Sequence, residues 1–330
     1  MKKILSILIA LIMCISLIAC GDGDTEVKDA PEQSGNSTAA HDESAQDVGA
    51  TQNEGEENLP AEDKQEEQEE KEAPNAPDTK ITFDGLTVVD NDECSISITE
   101  IDPDNLWGYT LKVNLENKSP EKTYMFSVLS AAVNGVQWDP FFASEVAAGK
   151  KAIEDISFSN SELEALGMDF TDIEITFRVY DSDDWMAEAV ATETVHVYPY
   201  GEDKAELFER APGDSDNIIV NNEQVTATVI GYDEDNIWGY TVMLFLQNKT
   251  DSEVMFSVEE VSVNGYMADP FWATSVLPGK CAFSSMSWSD TTLDECGITD
   301  VEEIEFLFRA HDYEDWMADD LANESIILNP

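Results

Sequence analysis

Acidic residues fall into two clusters, and both recur in the second half of the chain. Asp102, Asp104 and Asn105 return as Asp233, Asp235 and Asn236, and Asp181, Asp183 and Asp184 return as Asp312, Glu314 and Asp315. Carboxylates beside an amide oxygen are hard donors, and Ca²⁺ takes about six to eight oxygens at about 2.3–2.6 Å. If the two clusters of each repeat converge, they form a weak Ca²⁺ site. The spacing is not that of an EF-hand, because Leu106 and Trp107 stand where further ligands would be needed. Asp and Asn also populate turns through their own side-chain hydrogen bonds, so plain turn chemistry is the competing reading.

Aromatics offer a second chemistry. Trp138, Phe141 and Phe142 follow the Asn134-Gly135 pair; Tyr266, Phe271 and Trp272 follow Asn264-Gly265; Trp185 and Trp316 sit beside acidic clusters. Exposed, Trp138, Phe142, Trp185, Trp272 and Trp316 would make platforms for sugar rings or a protein hot spot. Turned inward, they would seal the ends of a core. Catalysis has little support. His41 lies in a polar stretch, His196 in a strand-like run, and His311 aligns with Tyr180. No nucleophile, base and orienting group come together by spacing.

These residues are carried by a duplication. Asp102 to Lys118 reads DPDNLWGYTLKVNLENK and returns at Asp233 to Lys249 as DEDNIWGYTVMLFLQNK. By direct count roughly ten of the seventeen positions are identical. Val133-Asn134-Gly135 and Asp184-Trp185-Met186-Ala187 return in register as Val263-Asn264-Gly265 and Asp315-Trp316-Met317-Ala318.

Within each copy the apolar period is two. Cys94, Ile96 and Ile98 share a face, as do Trp107, Tyr109, Leu111, Val113 and Leu115, and Ile173, Ile175, Phe177 and Val179. Asn134-Gly135 is a hairpin signal. Ser161-x-x-Glu164 with Leu166-Gly167 reads as a short capped helix. About seven strands in about 120 residues predict an immunoglobulin-type β-sandwich, with Trp107 and Trp238 buried as strand-C tryptophans and both acidic loops at one end. Glu202 to Arg210 reads as a short helical connector between Pro199 and Pro212. Arg178 with Glu174, and Arg309 with Glu305, read as surface ion pairs. Met243, Phe245 and Leu307 replace Lys112, Asn114 and Thr176 on a face expected to be wet, which suggests a contact with the first copy or with a partner.

The chain has 330 residues and a formal charge of −53. Such a surface repels phosphate backbones, which excludes nucleic acid as a direct partner. Solubility is the simplest use of that charge; cations, basic proteins and neutral glycans remain as partners. Of five cysteines, Cys94 aligns with Val225 and Cys296 with Leu166, both core-type, while Cys281 aligns with Lys151, an exposed type. A Cys281–Cys296 disulfide is disfavoured, because the strand leaving Cys281 carries the chain roughly 23 Å away.

Lys2-Lys3, an apolar run from Ile4 to Ile18, and Leu17-Ile18-Ala19-Cys20 form a short cleavable leader. The pattern resembles the lipobox of bacterial lipoproteins. That resemblance implies cleavage before Cys20 and diacylglycerol on its thiol, hence a membrane lipid anchor on the extracytoplasmic face. Residues 21–79 hold few large apolar side chains and many acids, the composition of a disordered tether. The Val-Asn-Gly turns, the following Asp-Pro-aromatic, the Gly-Lys before the next strand and the small helix resemble duplicated immunoglobulin-like domains of Gram-positive, clostridia-type surface lipoproteins. The resemblance covers nearly all of residues 80–330 and implies fold more than function.

The expected organisation is a leader at 1–19, a lipidated cysteine and tether at 20–79, a sandwich at 80–199, a connector at 200–214 and a second sandwich at 215–330. The expected function is a non-catalytic binding or adhesion module for an extracellular protein or glycan. A structural spacer or envelope-assembly lipoprotein is the alternative, and a hydrolase with an unseen site a distant third.

Overall fold

The computed structural model describes residues 80–330 apart from 160–166, 271 and 316. Both copies are all-β. In repeat 1 the strands are β1 (Leu86–Asp90), β2 (Cys94–Asp102), β3 (Tyr109–Asn117), β4 (Tyr124–Val133), β5 (Val136–Trp138), β6 (Ala143–Val146), β7 (Lys151–Phe158), β8 (Ile173–Asp181) and β9 (Ala191–Val197). In repeat 2 they are β10 (Asn217–Asn221), β11 (Val225–Asp233), β12 (Tyr240–Asn248), β13 (Val254–Val263), β14 (Tyr266–Met267), β15 (Ala273–Val276), β16 (Cys281–Trp288), β17 (Ile304–Asp312) and β18 (Ala322–Leu328). A short helix, α1 (Asp290–Glu295), follows β16, with the Ser289 hydroxyl accepting from the Thr292 N–H at its start. The capped helix expected at Ser161 to Leu166 lies outside the described residues.

Each repeat stacks two antiparallel sheets. In repeat 1 one sheet runs β1-β2-β3-β7, and the other has β4 beside β8 and β8 beside β9, with β5 and β6 also on β4. Period-two alternation sends Ile96, Ile98, Leu111, Val113 and Leu115 into the core from one side. Phe126, Ile175, Phe177 and Val179 meet them from the other. Repeat 2 is built alike, and its core contains Trp288 and Trp272. Burying a large apolar side chain contributes about 1.5–3 kcal/mol, so these alternating faces supply the main stabilisation. The tandem sandwiches match the sequence-based expectation. Their strand order has its own form, however. β2 and β3 are hairpin neighbours in one sheet, whereas antibody domains place the second and third strands in different sheets.

Much of the repeated stretch is explained by architecture. Its final asparagine is buried and joins the sheets: Asn117 Nδ2 donates to the carbonyls of Lys122 and Val146, both at 2.8 Å. Asn248 makes the equivalent bonds to Ser252 at 2.7 Å and Val276 at 2.8 Å. The following lysine closes the first hairpin. Lys118 Nζ reaches Asp90 and the Asn91 carbonyl, and Lys249 Nζ reaches the Asn222 carbonyl at 2.7 Å. At the Asn134-Gly135 turn both residues have positive φ, 50° and 82°, the backbone a type I′ hairpin requires.

The tryptophans of the repeated stretch are not in the core. Trp107 is 76% exposed and Trp238 51%. Their parity with Tyr109 and Tyr240 predicted burial, but the strands begin only at those tyrosines. Between them, Gly108 (φ 119°) and Gly239 (φ 96°) break the pleat. The buried tryptophan near this place in repeat 2 is Trp288, whose Nε1 donates to the Ala268 carbonyl at 2.8 Å.

Among the described residues, helix in the connector is confined to a 3₁₀ turn at Glu202–Lys204, after which Phe208 touches both repeats, its N–H donating to the Asn134 carbonyl at 2.8 Å and its ring packing on Phe245 and Phe283. The ion pairs expected within single strands are not formed. Arg178 Nη2 donates to the Trp185 carbonyl at 3.1 Å. Arg309 instead grips Asp320 at 2.8 and 3.1 Å and Glu259 at 2.5 Å.

Candidate functional surfaces

The two acidic loops of each repeat lie at opposite ends of the sandwich. The loop leaving Asp102 stands at the far end of β2. The loop after Asp181 packs where β2 begins: Ser182 N donates to the Thr123 carbonyl at 3.0 Å, and Asn91 Nδ2 to that of Val190 at 3.4 Å. β2 is nine residues long, so roughly 26 Å separates the loops at about 3.3 Å per residue. In repeat 2, Asn222 Nδ2 donates to the Leu321 carbonyl and Tyr313 N to that of Glu253, both at 2.9 Å. The expected convergence of Asp102, Asp104 and Asn105 with Asp181, Asp183 and Asp184 does not occur. Neither does that of Asp233, Asp235 and Asn236 with Asp312, Glu314 and Asp315. The cause is strand direction: β4 begins at the end where β2 begins, and β8 runs antiparallel to β4 with Asp181 opposite Tyr124, so the β8–β9 loop lies at that end while β2 finishes at the other. Among the described residues no three His, Cys, Asp or Glu side chains group as a metal site.

Within each loop the polar atoms serve the turn. Asn105 Nδ2 donates to Asp102 Oδ2 at 3.1 Å, its Oδ1 accepts from Trp107 N at 3.1 Å, and its carbonyl accepts from Gly108 N at 3.1 Å. Repeat 2 reproduces this set with Asn236, at 3.1 Å to Asp233, 3.0 Å from Trp238 N and 2.9 Å from Gly239 N. The other loops use Asp181 Oδ1, which accepts from Asp183 N at 3.1 Å, and Asp312 Oδ1, which accepts from Glu314 N and Asp315 N at 2.9 and 3.0 Å. The Asp312 carboxyl is held below its ordinary pKa by the Ser252 hydroxyl and those two N–H groups. The Asp181 carboxyl is lowered by Lys122, 3.1 Å away, and by the Asp183 N–H.

These turns hold apolar side chains out in water. Leu106 is 88% exposed beside Trp107, and Ile237 is 74% exposed beside Trp238. At the opposite end of repeat 1, Trp185 and Met186 are also exposed, as is Met317 in repeat 2. Repeated bulky apolar pairs on rigid turns differ from the scattered apolar residues any surface carries. Of the five aromatics expected as platforms, Trp185 alone is an exposed one among the described residues. Trp138 and Phe142 are half-buried against the repeat-1 core, and Trp272 is buried with its Nε1 donating to Ser284 Oγ at 2.9 Å. Trp316, Phe271 and Cys20 lie outside the described residues. Leu106 and Ile237 are surface tips that the sequence marks only as non-ligands between an acidic turn and a strand.

The repeats themselves meet in a built junction. Cys281 N donates to the Gly135 carbonyl at 3.0 Å, joining β16 to β5 in parallel and merging two sheets into one of nine strands. Gln137 bridges across, donating to the Ser275 carbonyl at 3.0 Å and accepting from Leu277 N at 2.9 Å. Lys280 Nζ pairs with Glu174, which also lies 3.4 Å from His196 Nε2. Phe245 and Cys281 are buried there with Val136, and Phe208 of the connector packs on Phe245 and Phe283. Phe245 thus meets the first copy, one of the two contacts its sequence suggested. Leu307 lies on the other sheet, away from it. Cys281, expected to be exposed, is buried by this junction, and burial pushes its thiol up to about 11. Cys94 is buried in the core with its thiol also pushed up to about 11 by burial, and Cys296 is half-buried; all three are free.

No family model matches the chain, and no curated protein matches it. Among solved structures it is similar to the exo-chitosanase CsxA of Amycolatopsis orientalis, at 12% identity and a TM-score of 0.22. The match covers 73% of this chain and 27% of that one, so the chain spans about a quarter of that enzyme's length. A likeness at this level carries no argument about activity.

Proposed function

We propose that this chain is a non-catalytic binding module, anchored through lipid on Cys20 at the extracytoplasmic face of the cell membrane, that engages a protein or glycan with its exposed turn tips. The observation that carries this reading is the pairing of Leu106-Trp107 with Ile237-Trp238, held by the same asparagine turn in both repeats and left in solvent. Aromatics presented rigidly suit stacking on sugar rings or the centre of a protein hot spot, and little side-chain freedom is lost on binding. The buried thiols lie far above neutral pH in their ionisation, which makes them poor nucleophiles.

The test compares the full chain with a variant carrying L106S, W107S, I237S and W238S, applied to a glycan array and to isolated cell envelopes. At least a tenfold loss of binding with an unchanged circular dichroism spectrum is expected. Binding that survives all four changes would remove the tips as the site. The absence of any binding by the unaltered chain would leave the spacer reading. That second reading draws on the sealed junction at Gln137 and Lys280, which holds two sandwiches as one piece. Anchoring is checked separately by mass spectrometry of the mature N-terminus, where C20A should abolish the acyl adduct.

A further inference from the structure

The junction between the repeats has two halves, and each half occurs once more, uncovered. Its first half lies in repeat 1: the Gly135 carbonyl, β5 and the Glu174 carboxylate. Its second half lies in repeat 2: Lys280, the Cys281 N–H and the apolar side chain of Phe283. By the register of the duplication, the first half returns in repeat 2 as Gly265, β14 and Glu305. The second half returns in repeat 1 as Lys150, Lys151 and Ile153.

The strand geometry of the uncovered halves matches the junction. Lys151 pairs with Glu116 as Cys281 pairs with Gln247. Asn117 N donates to the Lys150 carbonyl at 2.9 Å, as Asn248 N does to that of Lys280 at 2.9 Å. The edge N–H of Lys151 therefore faces outward, as that of Cys281 does. Both surfaces stand in solvent: Ile153 is 77% exposed, Met267 68% and Tyr266 56%. Lys150 and Glu305 are exposed, and neither belongs to an ion pair among the described residues. The nearest hydrogen-bonding partner of Glu305 is the Ser262 hydroxyl, 3.4 Å away.

We propose that a second copy of this chain docks end to end on the first, the Lys150–Ile153 edge of one molecule against the Tyr266–Met267 edge of the next, with Lys150 paired to Glu305 as Lys280 pairs to Glu174. The inference is independent of the ligand reading above. Each molecule carries one half of each kind, so the contact is heterologous and extends into chains or rings instead of closing a dimer. It is weaker than the internal junction. Asn114 stands where the junction has Phe245, and Met267 stands where Gln137 makes two bonds. Glu154 and Asp155 follow Ile153 on β7 and limit the pairing to the start of the strand. The charge of −53 opposes the approach of two copies at low salt and is screened as salt rises.

The experiment is analytical ultracentrifugation of the full chain over a concentration series. At about 0.15 M salt the screening length is about 8 Å, which shields general repulsion but leaves a contact pair intact. The average mass should rise past that of a dimer, without a plateau for open chains or to a plateau above dimer for rings. K150E and E305K should each weaken association on the order of tenfold, since like charges then face each other. K80E serves as a control for net charge and should change nothing. The double variant K150E/E305K should recover association. A mixture of the two single variants should also recover association, as alternating chains, because both contacts between unlike molecules are complementary and only contacts between like molecules repel. A chain that stays monomeric at every salt and concentration overturns the proposal. So does a plateau at dimer, which would mark a closed contact through Met267, Leu307 and Ile327, or association that K150E and E305K leave unchanged.

Discussion

Replacing Phe245 by asparagine should uncouple the two repeats. Asparagine is what repeat 1 carries at that register position: Asn114 faces Ile153 across its strands as Phe245 faces Phe283. The strand therefore tolerates the residue, and the loss falls on the junction. Phe245 is 6% exposed, its ring centroid lies 5.0 Å from that of Phe283 and 6.5 Å from that of Phe208, and the Arg210 guanidinium carbon sits 5.7 Å above it. Truncating a buried phenylalanine costs about 3–5 kcal/mol. In a cooperative unit of about 250 residues each kcal/mol moves the midpoint by about 2–4 °C, so the fall is roughly 6–20 °C. Differential scanning calorimetry should show the single transition of the unaltered chain move by that amount or split in two. Cys281, buried by the same contact, should react faster with a thiol reagent in F245N while Cys94 does not. A midpoint within about 1 °C of the unaltered protein, with one transition and no change at Cys281, would refute the claim that this ring couples the repeats.

Gly239→Ala should destabilise by more than about 2 kcal/mol in urea titrations, because its φ is 96° and a Cβ would stand 2.1 Å from the Trp288 carbonyl oxygen. Trp107→Ser and Trp238→Ser should stay within about 0.5 kcal/mol of the unaltered chain, as solvent-exposed positions do; a larger loss would mean the tips serve folding. Acid should act in two opposed ways. Asp320 is held below its ordinary pKa by Arg309 first, and Asp216 by Arg210. A carboxyl lowered on folding contributes stability that is present above its unfolded pKa of about 3.9 and is lost as pH falls through its lower folded value. Protonating the many other acids relieves self-repulsion. The urea midpoint should therefore rise as pH drops toward 4 and turn over below it, with a shallower turnover in D320N.

Local chemistry in the sequence determined the all-β class, the duplication, the hairpin at Asn134-Gly135 and most core positions, because a period of two and a turn dipeptide act through neighbours along the chain. It also placed Phe245 at a contact. Tertiary structure alone decided which loops share an end. Alternation is blind to strand direction, and the antiparallel pairing of β8 with β4 carried Asp102 and Asp181 to opposite ends. Tertiary structure also decided where Trp107 points, since one glycine with positive φ resets the pleat that parity counting assumes. Gln137 was invisible as a bridge, because its partners Ser275 and Leu277 lie 138 and 140 residues away and only the folded junction brings them within hydrogen-bond reach.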